Sequence, residues 1–178
     1  SNHLFWPPKK IIHIASTRFV KRKNFFFNQK IFLPYNISIK GDLIKNLEFF
    51  LQKKTKHKIK PLKVKIHPFQ KKSIKHNDFK NEILLILKKF KKNFSSRSKQ
   101  NISIFLGATS SVIEALENGC KVVHIVSDPV FESYSDKLWP SLKIKKISEN
   151  IFQYSLKTNI RCLTLRNRKN FVNDLELQ

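Results

Sequence analysis

The feature that most restricts the fold is an alternation. Short apolar runs are separated by longer stretches whose apolar residues recur at helical spacing. Ile31-Phe32-Leu33 ends in Pro34 and reads as a buried strand. Gly41-Asp42 then predicts a helix start with Asp42 as N-cap, and Leu43, Ile44, Leu47, Phe50 and Leu51 supply its apolar stripe. Leu62-Lys63-Val64-Lys65-Ile66 alternates as a strand does and runs into His67-Pro68, where proline stops the ladder. A second helix is expected behind Asp78, with Ile83, Leu84, Ile86, Leu87 and Phe90 as its apolar face.

Ile102 to Leu106 is the next strand, and Gly107-Ala108-Thr109 turns the chain into a helix from about Ser110 to Asn118, with Gly119 at its C′ position. Val122 to Val126 is a further strand. Leu142-Lys143-Ile144 reads as a last short one, and Ser148-Glu149-Asn150 as the opening of a final helix. Alternation of this kind with short turns predicts an α/β, Rossmann-like domain: a parallel sheet with helices on both faces. The domain is expected over 31–158, between an irregular N-terminal segment (1–30) and a C-terminal tail (159–178), with no internal repeat.

The chain of 178 residues carries 36 Lys and Arg against 12 Asp and Glu, a net charge of +24. Such an excess points to nucleic acid, an anionic membrane surface or acidic substrates. Lys, Asn, Ile and Phe are all abundant, and all have A- and T-rich codons, so base composition explains much of the excess without a polyanionic partner. The lysines are spread over every segment, and no RRM, KH or zinc-finger signature is present, which argues against a specific nucleic-acid module.

Cys120 and Cys162 form no CxxC pair; both sit in apolar stretches and read as buried thiols of a reducing compartment. There is no signal-peptide pattern and no apolar run long enough to cross a bilayer. The chain has no Met at all, so a part of a longer protein is expected. No metal-ligand spacing and no cofactor motif occurs: GxxxxGK[ST] and GxGxxG are both absent.

In an open parallel sheet, ligands bind beyond the carboxyl ends of the strands. Two features fall there. His67 closes the 62–66 strand, and Gly107-Ala108-Thr109-Ser110-Ser111 joins the 102–106 strand to its helix. Gly107 permits a tight turn, while hydroxyls and backbone N–H groups at a helix start attract phosphate. Taken singly, each has an ordinary structural explanation: a strand-end histidine bonded to backbone, and a serine N-cap. Glu114, one turn into the helix and on the face of Ser110 and Ser111, suits ribose hydroxyls or simply the helix dipole.

Of the other histidines, His57 and His76 lie in Lys-rich stretches and read as solvated, His13 has no comparable setting, and His124 reads as a packing residue within a strand. In the loop after the 122–126 strand, Phe131 and Tyr134 are candidates to line a base pocket, with ordinary surface packing the equal alternative. Asp128, Glu132 and Asp136 share that loop without metal-site spacing.

The His67-Pro68 pair closing one strand and the Ser110-Ser111 pair opening a later helix resemble the HP and SS motifs of bacterial sialyltransferases. The run from Gly107 to Val123, with its Ser-Ser, Glu114-Ala115, Gly119 and Val122, is similar to a stretch of many GT-B enzymes that build surface carbohydrates. The resemblance covers roughly residues 31–145 and implies the C-terminal, nucleotide-sugar-binding half of a GT-B glycosyltransferase.

It implies that His67, Gly107, Thr109, Ser110 and Ser111 hold the nucleotide phosphate, that Glu114 holds ribose, and that a CMP-activated acid sugar is the favoured donor. In that family the catalytic base comes from an acidic motif of the N-terminal domain; the chain has no such motif, so its catalytic residue is unassigned. The acceptor would be a glycan or glycolipid, and the setting cytoplasmic, with peripheral contact to an anionic membrane. The competing expectations are a basic nucleic-acid-binding module and a noncatalytic, membrane-associated scaffold of glycan assembly.

Overall fold

The computed structural model describes residues 27–37, 39–53, 58–98, 102–109, 111–129, 134–137, 139–157 and 163. The chain order is β1 (Lys30–Phe32), α1 (Lys40–Lys53), β2 (Lys63–Lys65), α2 (Ile74–Lys89), β3 (Ile102–Leu106), α3 (Ser111–Glu117), β4 (Lys121–Ile125), β5 (Leu142–Ser148) and β6 (Ile151–Leu156). All six strands join one sheet in the order β2-β1-β3-β4-β6-β5. Strands β2, β1, β3 and β4 run parallel, while β6 is antiparallel to β4 and β5 antiparallel to β6. The fold is therefore α/β and Rossmann-like, with a mixed sheet rather than the wholly parallel one expected.

The antiparallel part corrects the reading of 148–150 as a helix start. Glu149 and Asn150 are turn residues between β5 and β6, the short connection that an antiparallel hairpin allows. Phe152, Tyr154 and Leu156 recur at every second position and pack into one core, a strand period that the polar opening of the segment disguised.

Two helix starts also lie earlier than expected. Asp42 is inside the first turn of α1, where its carboxylate complements the dipole instead of capping it. The N-cap of α2 is Ser73, whose hydroxyl accepts from the His76 N–H at 3.5 Å; Asp78 is within the helix. The expected Gly119 stop is present. Gly119 has φ +75°, its N–H reaches Leu116 O at 2.9 Å, and the Cys120 N–H reaches Ala115 O at 3.0 Å. This is the paired-bond ending that a glycine in the left-handed region makes possible.

Two apolar layers sandwich the sheet. On one face, Leu47, Phe50 and Leu51 of α1 and Phe79 and Ile83 of α2 cover Ile31, Ile104 and Val123. On the other, Val112, Ala115 and Leu116 of α3 cover Phe105, Val122 and Tyr154. Strand β3 is buried along its whole length, as an interior strand covered on both faces must be. Cys120 lies in the second layer, and its Sγ donates to Asn28 Oδ1 at 3.2 Å. Burial raises its thiol above the ordinary range, with a hydrogen bond from Ser103 opposing. The buried-thiol reading thus fits Cys120, while Cys162 lies outside the described residues. No helix among the described residues is long and apolar enough to cross a membrane.

Candidate functional site

The sheet order fixes where a ligand crevice lies. β1 and β3 are neighbours, yet α1 follows β1 onto one face and α3 follows β3 onto the other. The two connections diverge at the carboxyl ends of these strands, the switch point at which open α/β sheets bind ligands in a crevice. The register lines up the candidates along this edge. Phe32 pairs with Lys65 on one side and Phe105 on the other. Two residues further along each strand direction stand Pro34, His67 and Gly107. Gly107 borders the crevice, and His67 flanks it from beyond β1, two strand spacings or about 10 Å away.

The loop after β3 is pinned from both sides. The Gly107 N–H donates to Ile125 O at 2.8 Å, and His124 Nε2 donates to Gly107 O at 2.9 Å. Gly107 has φ +65°, and a Cβ placed on it would stand 3.1 Å from Pro34 Cβ and 3.8 Å from Leu43 Cδ1. The glycine therefore serves both the left-handed turn and the close approach of β3 to the end of β1. With its own N–H spent, Gly107 shapes the loop rather than offering a donor.

Among the described residues, Thr109 meets the first turn of α3. Its Oγ1 accepts from the Ser111 N–H at 3.3 Å. Ala108 is exposed, and Thr109 and Ser111 are half-buried. Glu114 is half-buried on the side of α3 away from Val112, Ala115 and Leu116, so it shares a face with Ser111. Ser110 lies outside the described residues, as do His13, His57, Phe131 and Glu132.

His67 is the N-cap of the 3₁₀ turn Pro68–Gln70, and its Nδ1 accepts from the Phe69 N–H at 3.4 Å. In the neutral ring the proton then sits on Nε2, which is left as the donor of the ring. The ring stacks on Phe69 with centroids 5.5 Å apart and meets Tyr35 edge-on at 5.3 Å. Both partners are exposed, Tyr35 at 56% and Phe69 at 85%. Around them the charge is positive. Residues 59–77 contain six lysines and no acid, and the Lys30 amine is pushed below its ordinary value by burial and then by Lys65 and Lys63.

His76 is buried at 5% exposure, against the expectation of a solvated residue. Its Nε2 lies 3.2 Å from both Pro34 O and Tyr35 O, and its Nδ1 lies 3.0 Å from Ser73 Oγ. Carbonyls only accept, so Nε2 carries the proton and ties the turn after β1 to the first turn of α2. The Lys-rich neighbourhood in sequence concealed this, because Lys71, Lys72 and Lys75 all point to solvent while His76 turns inward with Phe79.

Tyr134 is a packing residue more than a pocket lining. Its ring meets Tyr154 at 5.5 Å, His124 at 6.0 Å and Trp139 at 6.5 Å, and burial raises its phenol. His124 packs as expected and additionally holds the Gly107 carbonyl. Asp136 is exposed and Asp128 half-buried. Among the described residues, no group of three or more His, Cys, Asp or Glu is arranged to hold a metal ion.

The aromatic residues that do surround the carboxyl edge, Tyr35 and Phe69, were not singled out from sequence. The available signal was their position, each directly after the proline that ends a strand. No family model matches the chain, and neither curated proteins nor solved structures give a significant match.

Proposed function

We propose that this chain is the donor-binding half of a glycosyltransferase that builds bacterial surface polysaccharide, lipopolysaccharide or capsule. The observation that carries the reading is the placement at one sheet edge of a glycine-turned loop opening α3 at the β1/β3 switch point and of His67, on the far side of β1.

In this reading the Ala108 and Thr109 N–H groups, the Ser110 and Ser111 hydroxyls and His67 Nε2 surround the phosphate of a nucleotide sugar. Gly107 supplies the turn, and Glu114 receives ribose hydroxyls. Donors fixed in place stabilise the charge that develops on the departing nucleotide as the glycosidic bond breaks. The acceptor hydroxyl, on a glycan or glycolipid, is activated by a base outside this chain. A CMP-activated acid sugar is the favoured donor. The net charge of +24 draws such anions in and suits peripheral contact with an anionic membrane on the cytoplasmic side.

Isothermal titration against CMP, CDP, UDP and GDP tests the proposal. Measurable binding of at least one, weakened by about tenfold or more in His67→Ala through loss of a charge-assisted bond, supports it. No binding of any nucleotide sinks it.

A further inference from the structure

A phenylalanine exposed at 85% on a structured turn calls for a partner. Phe69 is held by its neighbours: Pro68 fixes the backbone ahead of it, its N–H is bonded to His67 Nδ1, and its ring lies against the His67 ring at an interplanar angle of 28°. Tyr35, exposed at 56%, meets the same His67 ring edge-on at 81°. One face of Phe69 is thus occupied by His67 and the other is open. Ile74, the first residue of α2, is exposed beside the same turn.

The chemistry of this surface is specific in two ways. It offers flat π-faces, which suit another flat ring better than an aliphatic side chain. It is also ringed by cations: Lys65, Lys71 and Lys72 are all exposed, and residues 59–77 carry no acid. A planar heteroaromatic ring carrying an anionic group matches both properties. An apolar protein partner matches only the first, and a free phosphate only the second.

We propose that the open face of Phe69 is the stacking subsite for the nucleobase of a nucleotide. The phosphate lies at the His67 edge of the same turn, which takes the ribose beside His67 instead of Glu114. The proposal rests on the nucleotide-binding reading above and deepens it by assigning the base. It gives His67 two duties, since its ring face supports Phe69 while its Nε2 edge meets the anion. It also moves base recognition away from Tyr134, which is packed against Tyr154 and Trp139.

The test is isothermal titration of the whole chain with CMP, UMP, AMP and GMP, alongside ribose 5-phosphate and inorganic phosphate, for the parent, Phe69→Ala and Phe69→Trp. Base stacking on an aromatic side chain predicts that Phe69→Ala weakens nucleoside monophosphates by about five- to a hundredfold. Ribose 5-phosphate is then unchanged, and Phe69→Trp retains or tightens nucleotide binding. Phe69 is so exposed that its removal leaves the core intact, and circular dichroism of each variant verifies this. If nucleotides bind the parent and Phe69→Ala equally, the stacking subsite is refuted while the nucleotide reading stands. If the loss in Phe69→Ala is equal for ribose 5-phosphate, the residue acts on the loop and not on the base, and the proposal is overturned. If no nucleotide binds the parent, both readings fall together.

Discussion

Two glycines with the same backbone conformation but different surroundings isolate the contact that shapes the crevice. Gly107 and Gly119 have φ +65° and +75°. An alanine at either position enters the left-handed region, which costs about 1–2 kcal/mol for an L-residue. Reduced freedom of the unfolded chain returns about 0.4–1 kcal/mol of that. The net loss for Gly119→Ala is therefore about 1 kcal/mol, because nothing lies within 4 Å of its added Cβ.

Gly107→Ala carries the same backbone penalty plus a methyl group 3.1 Å from Pro34 Cβ. Pro34 is buried and its ring cannot swing aside, so overpacking adds about 1–3 kcal/mol. The expected loss is then about 2–4 kcal/mol. Urea unfolding of the two variants beside the parent, followed by circular dichroism, measures the difference as a shift in midpoint at constant slope. Equal losses, or a larger one for Gly119→Ala, would refute the idea that β3 and the end of β1 are in close contact at the crevice.

Two further outcomes follow from buried polar groups. His76→Leu removes the donor shared by Pro34 O and Tyr35 O and is expected to destabilise the fold by about 1–3 kcal/mol; thermal melts of His76→Leu and His76→Gln check it, and full stability of the leucine variant contradicts the tether. The Tyr154 phenol is pushed up to about 12, chiefly by burial, so in the folded chain it holds its proton more tightly than the ordinary value near 10. The sign follows: its contribution is fully present below about pH 10 and is lost as pH rises toward about 12. Chemical denaturation across that window should show a steeper alkaline loss in the parent than in Tyr154→Phe, and identical profiles would count against the burial argument.

Much of the framework can be read from the sequence because burial writes itself into periodicity. Ile102–Leu106 is apolar on both faces and forms the interior strand over the expected residues; Gly119 stops α3 where its lack of a Cβ matters. The errors have local causes. Asp42 and Asp78 resemble caps in composition, but the caps and starts depend on which backbone N–H groups a side chain can reach, and at α2 that residue is Ser73. The β5–β6 hairpin escaped because Ser148, Glu149 and Asn150 have the composition of a helix opening, although Glu149 and Asn150 make the turn between two strands. The lysines of β5, Lys143, Lys145 and Lys146, protect that sheet edge from further pairing.

At the site, the placement of His67 and Gly107 at strand ends followed from local sequence alone. Their separation by β1 did not, because it depends on the β2-β1-β3 order, a long-range property. The inward turn of His76 and the open face of Phe69 are equally tertiary, for neither is encoded in the few residues on either side.

The carboxyl edge around β1 and β3 is proposed to bind a nucleotide. Amide chemical shifts of the isotopically labelled chain, followed while CMP or CDP is titrated in, test it most directly. Saturable shifts concentrated at Tyr35, His67, Phe69, Gly107, Ala108 and Thr109 are expected. Absence of shifts, or shifts scattered over the lysines of α1, α2 and β5 without saturation, would contradict it and leave only a diffuse attraction between a basic chain and an anion.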